Sequence, residues 1–129
     1  MHIHPALFIA LISPKGKGVF TNVDLEAGLE VELSPVVVVP GKDRPHLDQT
    51  RLHDYIFEWD PEDLKGCCMA LGWVPVYNHS YTANCEYEMD YAAETISIKT
   101  VRDIAAGEEL TINYNGDWND VTPVWFDVH

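Results

Sequence analysis

With 129 residues, 47% of them apolar and 22% charged, the chain is long enough for one domain with a modest core and too apolar to be disordered. Its 8 Lys+Arg against 21 Asp+Glu leave a formal charge of −13. That disfavours direct binding to DNA or RNA, which needs basic groups against phosphates, and it favours a basic partner such as a lysine-rich peptide. The apolar run Ala6 to Ile12 is too short to span a bilayer and has neither a basic leader nor a cleavage-like site, so no membrane role and no secretion are expected. The expected location is intracellular: the cytoplasm, or the nucleus if the source is a eukaryote. The three cysteines, Cys67, Cys68 and Cys85, fit no zinc spacing and read as small core residues of a reducing compartment.

In chain order, Ala6 to Leu11 is the first predicted strand, and Pro14-Lys15-Gly16-Lys17-Gly18 a turn. The two glycines there can take a positive φ or let another group approach the backbone. Val19 to Thr21 resumes as a strand. Leu29 to Leu33 alternates as a half-buried strand should, and Val36 to Val39, between Pro35 and Pro40, reads as a separate and more buried one. Gly41 to His46 is a loop, Leu47 to His53 holds one or two helical turns, and Tyr55 to Trp59 is strand-like. Cys67 to Leu71 is a short apolar stretch broken by Gly72. Cys85 to Asp90 and Thr95 to Lys99 alternate strictly about a turn at Ala92-Ala93-Glu94, the clearest hairpin in the chain. Leu110 to Tyr114 is the last strand, left by a turn at Asn115-Gly116-Asp117. No long helical period appears, so the fold class is mainly β, in short strands with little helix.

One pattern occurs twice. Asp24-Leu25-Glu26-Ala27-Gly28 and Asp103-Ile104-Ala105-Ala106-Gly107 each put an aspartate, an aliphatic residue and Ala-Gly ahead of an acid that leads into a strand. The expected structure is a tight turn with its glycine at positive φ; the match is too short to imply a repeat architecture.

The densest polar run is Asn78-His79-Ser80-Tyr81-Thr82-Ala83-Asn84, entered from the apolar Leu71 to Val76. Buried amides and imidazoles need partners, so the run is either a surface loop or a place where something is held. Adjacent His79 and Ser80 seldom give nucleophile–base geometry. His46, His53 and His79 match no compact metal site, so no metal is expected. By itself the run favours a polar segment that bonds two strands together.

Gly16-Lys17-Gly18-Val19-Phe20, Asn78-His79-Ser80 with Asn84, Asp103-Ile104 with Gly107-Glu108-Glu109-Leu110-Thr111, and Tyr114 follow one another at domain-scale spacing. That ordered set closely resembles the SET-domain family of protein-lysine methyltransferases, from about Ile12 to Gly116. The resemblance implies a β-clip-like fold of several small sheets with a C-terminal pseudoknot, in which the Asn78–Asn84 segment and the final strand cross. It makes residues 1–129 a single SET domain, with a variable insert at about 41–73 and a tail at 117–129. It implies methyl transfer from S-adenosylmethionine to a lysine side-chain amine in a basic protein, such as a histone-like or ribosomal tail. Gly16, Lys17, Gly18, Asn78, His79 and Tyr114 then fall at the cofactor, and Tyr114 is the catalytic tyrosine beside the lysine channel.

Departures from the family pattern are informative. Tyr81 stands where many members have Cys, and no cysteine follows Tyr114, so no zinc-binding post-SET segment is expected. Another element must finish the lysine channel, with Trp118, Trp125 and Phe126 the aromatic candidates. Ile112, two positions before Tyr114, replaces a residue that is often Phe or Tyr and leaves room in the channel against a strict monomethyltransferase. Asp54, Glu58, Asp60, Glu62 and Asp63 make the insert acidic, which suits a basic substrate. A homodimer is a further way to complete the site. The alternative function is a catalytically inactive SET-fold binding module acting through its acidic surface.

Overall fold

In the computed structural model, residues 1–12, 16–59, 65–114 and 121 are described. Their strands are β1 (His2–Ile3), β2 (Leu7–Ile12), β3 (Gly16–Thr21), β4 (Glu30–Val39), β5 (Ile56–Glu58), β6 (Cys67–Ala70), β7 (Asn78–His79), β8 (Cys85–Asp90), β9 (Thr95–Thr100) and β10 (Glu109–Ile112). Helix among the described residues is one four-residue piece, α1 (Arg44–Leu47), and 3-10 turns at Gly41–Asp43, Arg51–Tyr55 and Val74–Val76. One sheet runs β5-β6-β4-β9-β8 with β1 also on β4; the other runs β2-β3-β10-β7. The chain is mainly β in small sheets, as its alternation and lack of helical period predict.

The expected hairpin is present: β8 and β9 pair antiparallel from Cys85↔Thr100 to Asp90↔Thr95. Asp90 accepts from the Ala93 N–H at 3.0 Å, and Glu94 takes φ 55° to close the turn. Ile96 and Ile98 on its inner face are fully buried, each stabilising by about 2–3 kcal/mol.

Four expectations change. Pro35 does not divide two strands: β4 runs through it, pairing with β9 over Glu30–Pro35 and with β6 over Val36–Val39. A proline is tolerated there because the strand changes partners, and the neighbouring Val36 N–H bonds Glu94 O at 3.0 Å. Val36 is buried but Val37 and Val38 are exposed, so the valine run is half-buried and not a core strand. Gly16 and Gly18 lie in β3, opposite Ile12 and Ala10, and not in a turn; the connection at 13–15 lies outside the described residues. The helical turns of the insert, at 44–47 and 51–55, overlap both ends of the predicted place and extend beyond it, because Pro45 stands in the first turn of one and Thr50 caps the other by accepting from the Leu52 N–H at 3.2 Å.

The core is shared between the sheets. Val19, Leu110 and Ile112 from one pack with Val31, Cys85, Ile96 and Ile98 from the other. The three cysteines are free and buried, as expected, and burial pushes the Cys68 and Cys85 thiols up to about 12. The repeated Asp…Gly segments face each other. Leu25 and Ile104 exchange backbone hydrogen bonds at 2.8 and 2.9 Å. Asp24 accepts from Ala106 N and Asp103 from Ala27 N, both at 2.9 Å, while Gly28 and Gly107 take φ 82° and 90°.

Candidate functional site

The site forms where three remote segments meet on β10. Antiparallel β3 lies on one side of β10, with Glu109 opposite Phe20 and Leu110 opposite Val19. Parallel β7 lies on the other, with Thr111 opposite Asn78 and Ile112 opposite His79. Only two residues long, β7 has no sequence signature of its own. The run that follows it is clasped from the side: Asn84 donates from Nδ2 to Glu109 O and accepts at Oδ1 from Thr111 N, both at 2.8 Å. The Ser80 N–H donates to Ile112 O at 2.9 Å. The backbone and the side chain of Asn84 thus satisfy a polar run that is partly buried.

Tyr114 follows directly. Its N–H donates to His79 Nδ1 at 2.9 Å and its phenol to Tyr77 O at 2.7 Å. An accepting Nδ1 puts the ring proton of His79 on Nε2. The buried imidazole sits edge-on to Tyr81, centroids 4.6 Å apart, and 5.2 Å from the Tyr114 ring. Burial above all, then the nearby Glu109, Tyr55 and Tyr87, pushes the Tyr114 phenol up to about 12. Tyr114 is therefore a neutral hydroxyl throughout the physiological range, held at one end by a carbonyl.

Asn78 bridges to β3. Its Nδ2 donates to Lys17 O at 3.0 Å and to Glu109 Oε2 at 2.7 Å. Gly18 makes this possible: a Cβ there would lie 2.5 Å from Glu109 Oε2 and 3.1 Å from Asn78 Nδ2. The two glycines thus differ in purpose. Gly16 takes φ 81°, with no described residue within 4 Å of where a Cβ would stand, whereas Gly18 allows close approach of side chains.

Beneath the site lies a fully buried carboxylate that the sequence does not single out. Glu32, on β4, accepts from Tyr77 Oη at 3.0 Å, Ser34 Oγ at 2.7 Å and Trp73 N at 2.8 Å. Gly72, at φ 65°, leaves room for it, since a Cβ would run into Ser34 and Glu32. The network anchors Tyr77, whose carbonyl holds Tyr114; burial and then Glu32 push the Tyr77 phenol well above its ordinary value.

Of the residues singled out from sequence, Lys17, Gly18, Asn78, His79 and Tyr114 come together, with Gly16 two residues from Gly18 on β3. Ile112 is fully buried in the core. Trp118, Trp125 and Phe126, with the turn at 115–117 and Asp60, Glu62 and Asp63 of the insert, lie outside the described residues. Tyr55, Tyr77, Tyr87, Glu32 and Glu109 carry no assigned role in the sequence reading. Alternation along 85–90 puts Tyr87 with Cys85 and Met89 on one face, a usable signal; for Glu32 there is none.

Residues 16–115 match the family model of the SET domain. Over 114 residues the chain is 32% identical to a Schizosaccharomyces pombe protein named histone-lysine N-methyltransferase, H3 lysine-37 specific, covering 88% of this chain and 71% of the relative. A candidate histone methyltransferase of Plasmodium falciparum has a similar structure at TM-score 0.68 and 23% identity, over 90% of this chain and 98% of that one. The ATXR5 SET domain, solved with a methylated histone H3, is similar at TM-score 0.71 and 18% identity, over 88% of this chain and 59% of the other. The chain belongs to the SET domain family.

Proposed function

We propose that this chain transfers a methyl group from S-adenosylmethionine to the side-chain amine of a lysine in a basic protein. The observation that carries the reading is the half-buried, neutral Tyr114 phenol, tied to Tyr77 O beside His79 and Asn78. Histone H3 is the first substrate to try, because the fission-yeast relative is named for it. The charge of −13 and the acidic Glu86, Glu88 and Asp90 of edge strand β8 suit a basic segment.

The residues present fit the cofactor. Asn78 Oδ1 meets no donor among the described residues and can accept from an ammonium group; at Gly16, on β3, no described residue lies within 4 Å of where a Cβ would stand. Asn78, His79 and the main chain of 16–18 would hold it. When bound, S-adenosylmethionine supplies an electrophilic methyl carried on a sulfonium. The lysine must lose a proton from an amine whose free pKa is about 10.4. Tyr114 is largely buried, with Tyr55 and Tyr87 near it, a low-dielectric setting that favours the neutral amine. A phenol fixed at one end orients the attacking nitrogen, and for an in-line displacement orientation supplies much of the rate.

Labelled cofactor incubated with the protein and histones or a basic protein mixture tests the reading. Tyr114→Phe is expected to lower methyl transfer about 100-fold, the scale for losing one oriented polar group, with cofactor binding largely kept. A folded sample that binds no S-adenosylmethionine by calorimetry refutes the reading.

A further inference from the structure

Glu109 stands on the strand that leads to Tyr114, and its carboxylate reaches sideways to the Asn78 amide. An asparagine amide has nearly the same shape when rotated by half a turn, but the rotation exchanges donor for acceptor. Here both neighbours of Nδ2 are acceptors: Lys17 O at 3.0 Å and Glu109 Oε2 at 2.7 Å. A main-chain carbonyl and a carboxylate engage both N–H bonds, so the group turned away from β3 is Oδ1. Gly18 is an independent mark of the same arrangement, since any Cβ would strike the Glu109 oxygen and crowd Asn78 Nδ2. Without Glu109, one bond to Lys17 O would remain, and the amide could swing.

We propose that Glu109 is a positioning residue that locks the Asn78 amide with its oxygen toward the ligand, preparing an acceptor for the ammonium group of S-adenosylmethionine. The inference rests on the reading of this pocket as the cofactor site. An ammonium group only donates, so an inverted amide would set N–H against N–H and lose the contact. The carboxylate behind the amide also polarises it in the favourable sense.

Calorimetric titration of the full chain with S-adenosylmethionine and with methylthioadenosine, which lacks the amino-acid part, tests this. Glu109→Ala is expected to weaken S-adenosylmethionine about tenfold, the scale of one hydrogen bond, and methylthioadenosine less than about twofold. Glu109→Gln, whose Oε1 accepts from the same Nδ2–H, is expected to stay within about threefold of the unaltered chain for both. Glu109→Asp keeps the charge but withdraws it, so it is expected to behave like Glu109→Ala and serves if the alanine variant does not fold. Wild-type affinity in Glu109→Ala, or an equal loss for both ligands, overturns the proposal. So does a Glu109→Gln as weak as Glu109→Ala. An unaltered chain that binds neither ligand overturns the pocket reading itself, and this inference with it.

Discussion

Two places in the fold tie remote segments together through side chains bonded to backbone, and they differ in what is left over. At the facing turns, Asp24 and Asp103 each take the other segment's N–H, and Leu25 and Ile104 exchange backbone bonds. The pair closes on itself. Where 78–84 runs beside 109–114, Asn84 is used up in the same way, on Glu109 O and Thr111 N. The Asn78 side chain, however, engages the described residues only through Nδ2, which leaves its oxygen as an acceptor. An amide engaged at both ends, as at Asn84, is scaffold, whereas one that keeps its oxygen as an acceptor, as at Asn78, can serve a ligand.

That contrast can be broken by experiment. Asn84→Ala removes both side-chain bonds and strands one buried and one part-buried backbone group, so chemical denaturation should report a loss of about 2–4 kcal/mol. Because β7 is held by the same clasp, S-adenosylmethionine affinity should fall as well. Asp24→Ala and Asp103→Ala each lose one exposed bond, with expected costs of about 0.5–1.5 kcal/mol that agree with each other, and cofactor affinity should stay within about twofold. A tenfold loss of affinity in either aspartate variant would end the distinction between scaffold and site.

The smallest effect is expected on moving from neutral to mildly alkaline pH. Tyr114, Cys68 and Cys85 have folded pKa values raised to about 12, from 10.0 for the tyrosine and 9.0 for the thiols, chiefly by burial. A raised folded value means that the unfolded chain loses its proton first. The stability these groups contribute is therefore fully present below about pH 9 and is lost as pH rises toward 12. Thermal melts at stepped pH should be flat in this respect near neutrality and fall across that window. Removing one of the groups, as in Cys85→Ala, should flatten the fall.

Much of the molecule was legible in advance. The alternation of Cys85–Asp90 and Thr95–Thr100 predicts their hairpin, because a strand with one buried face must alternate whatever surrounds it. Gly28 and Gly107 are predicted at positive φ by their turns, and they adopt it. The glycine, Asn-His and tyrosine motifs point to a common site, and the structure brings Lys17, Gly18, Asn78, His79 and Tyr114 to one strand and its neighbours. Illegible were the two-residue β7, the continuity of β4 through Pro35, and the burial of Glu32.

What the sequence by itself determined is strand alternation and turn glycines, which are properties of residues within a few positions of one another, together with the order of short motifs along the chain. Only the tertiary structure decided that the two Asp…Gly turns would pair with each other and that Glu32 would lie beneath Tyr77. It also decided which way the Asn78 amide faces. Those outcomes depend on partners 76 and 82 residues apart at the turns, 45 for Glu32 with Tyr77, and 31 and 61 for Asn78. A hydrogen bond constrains distance and direction, and neither exists for such pairs until the sheets have assembled around them.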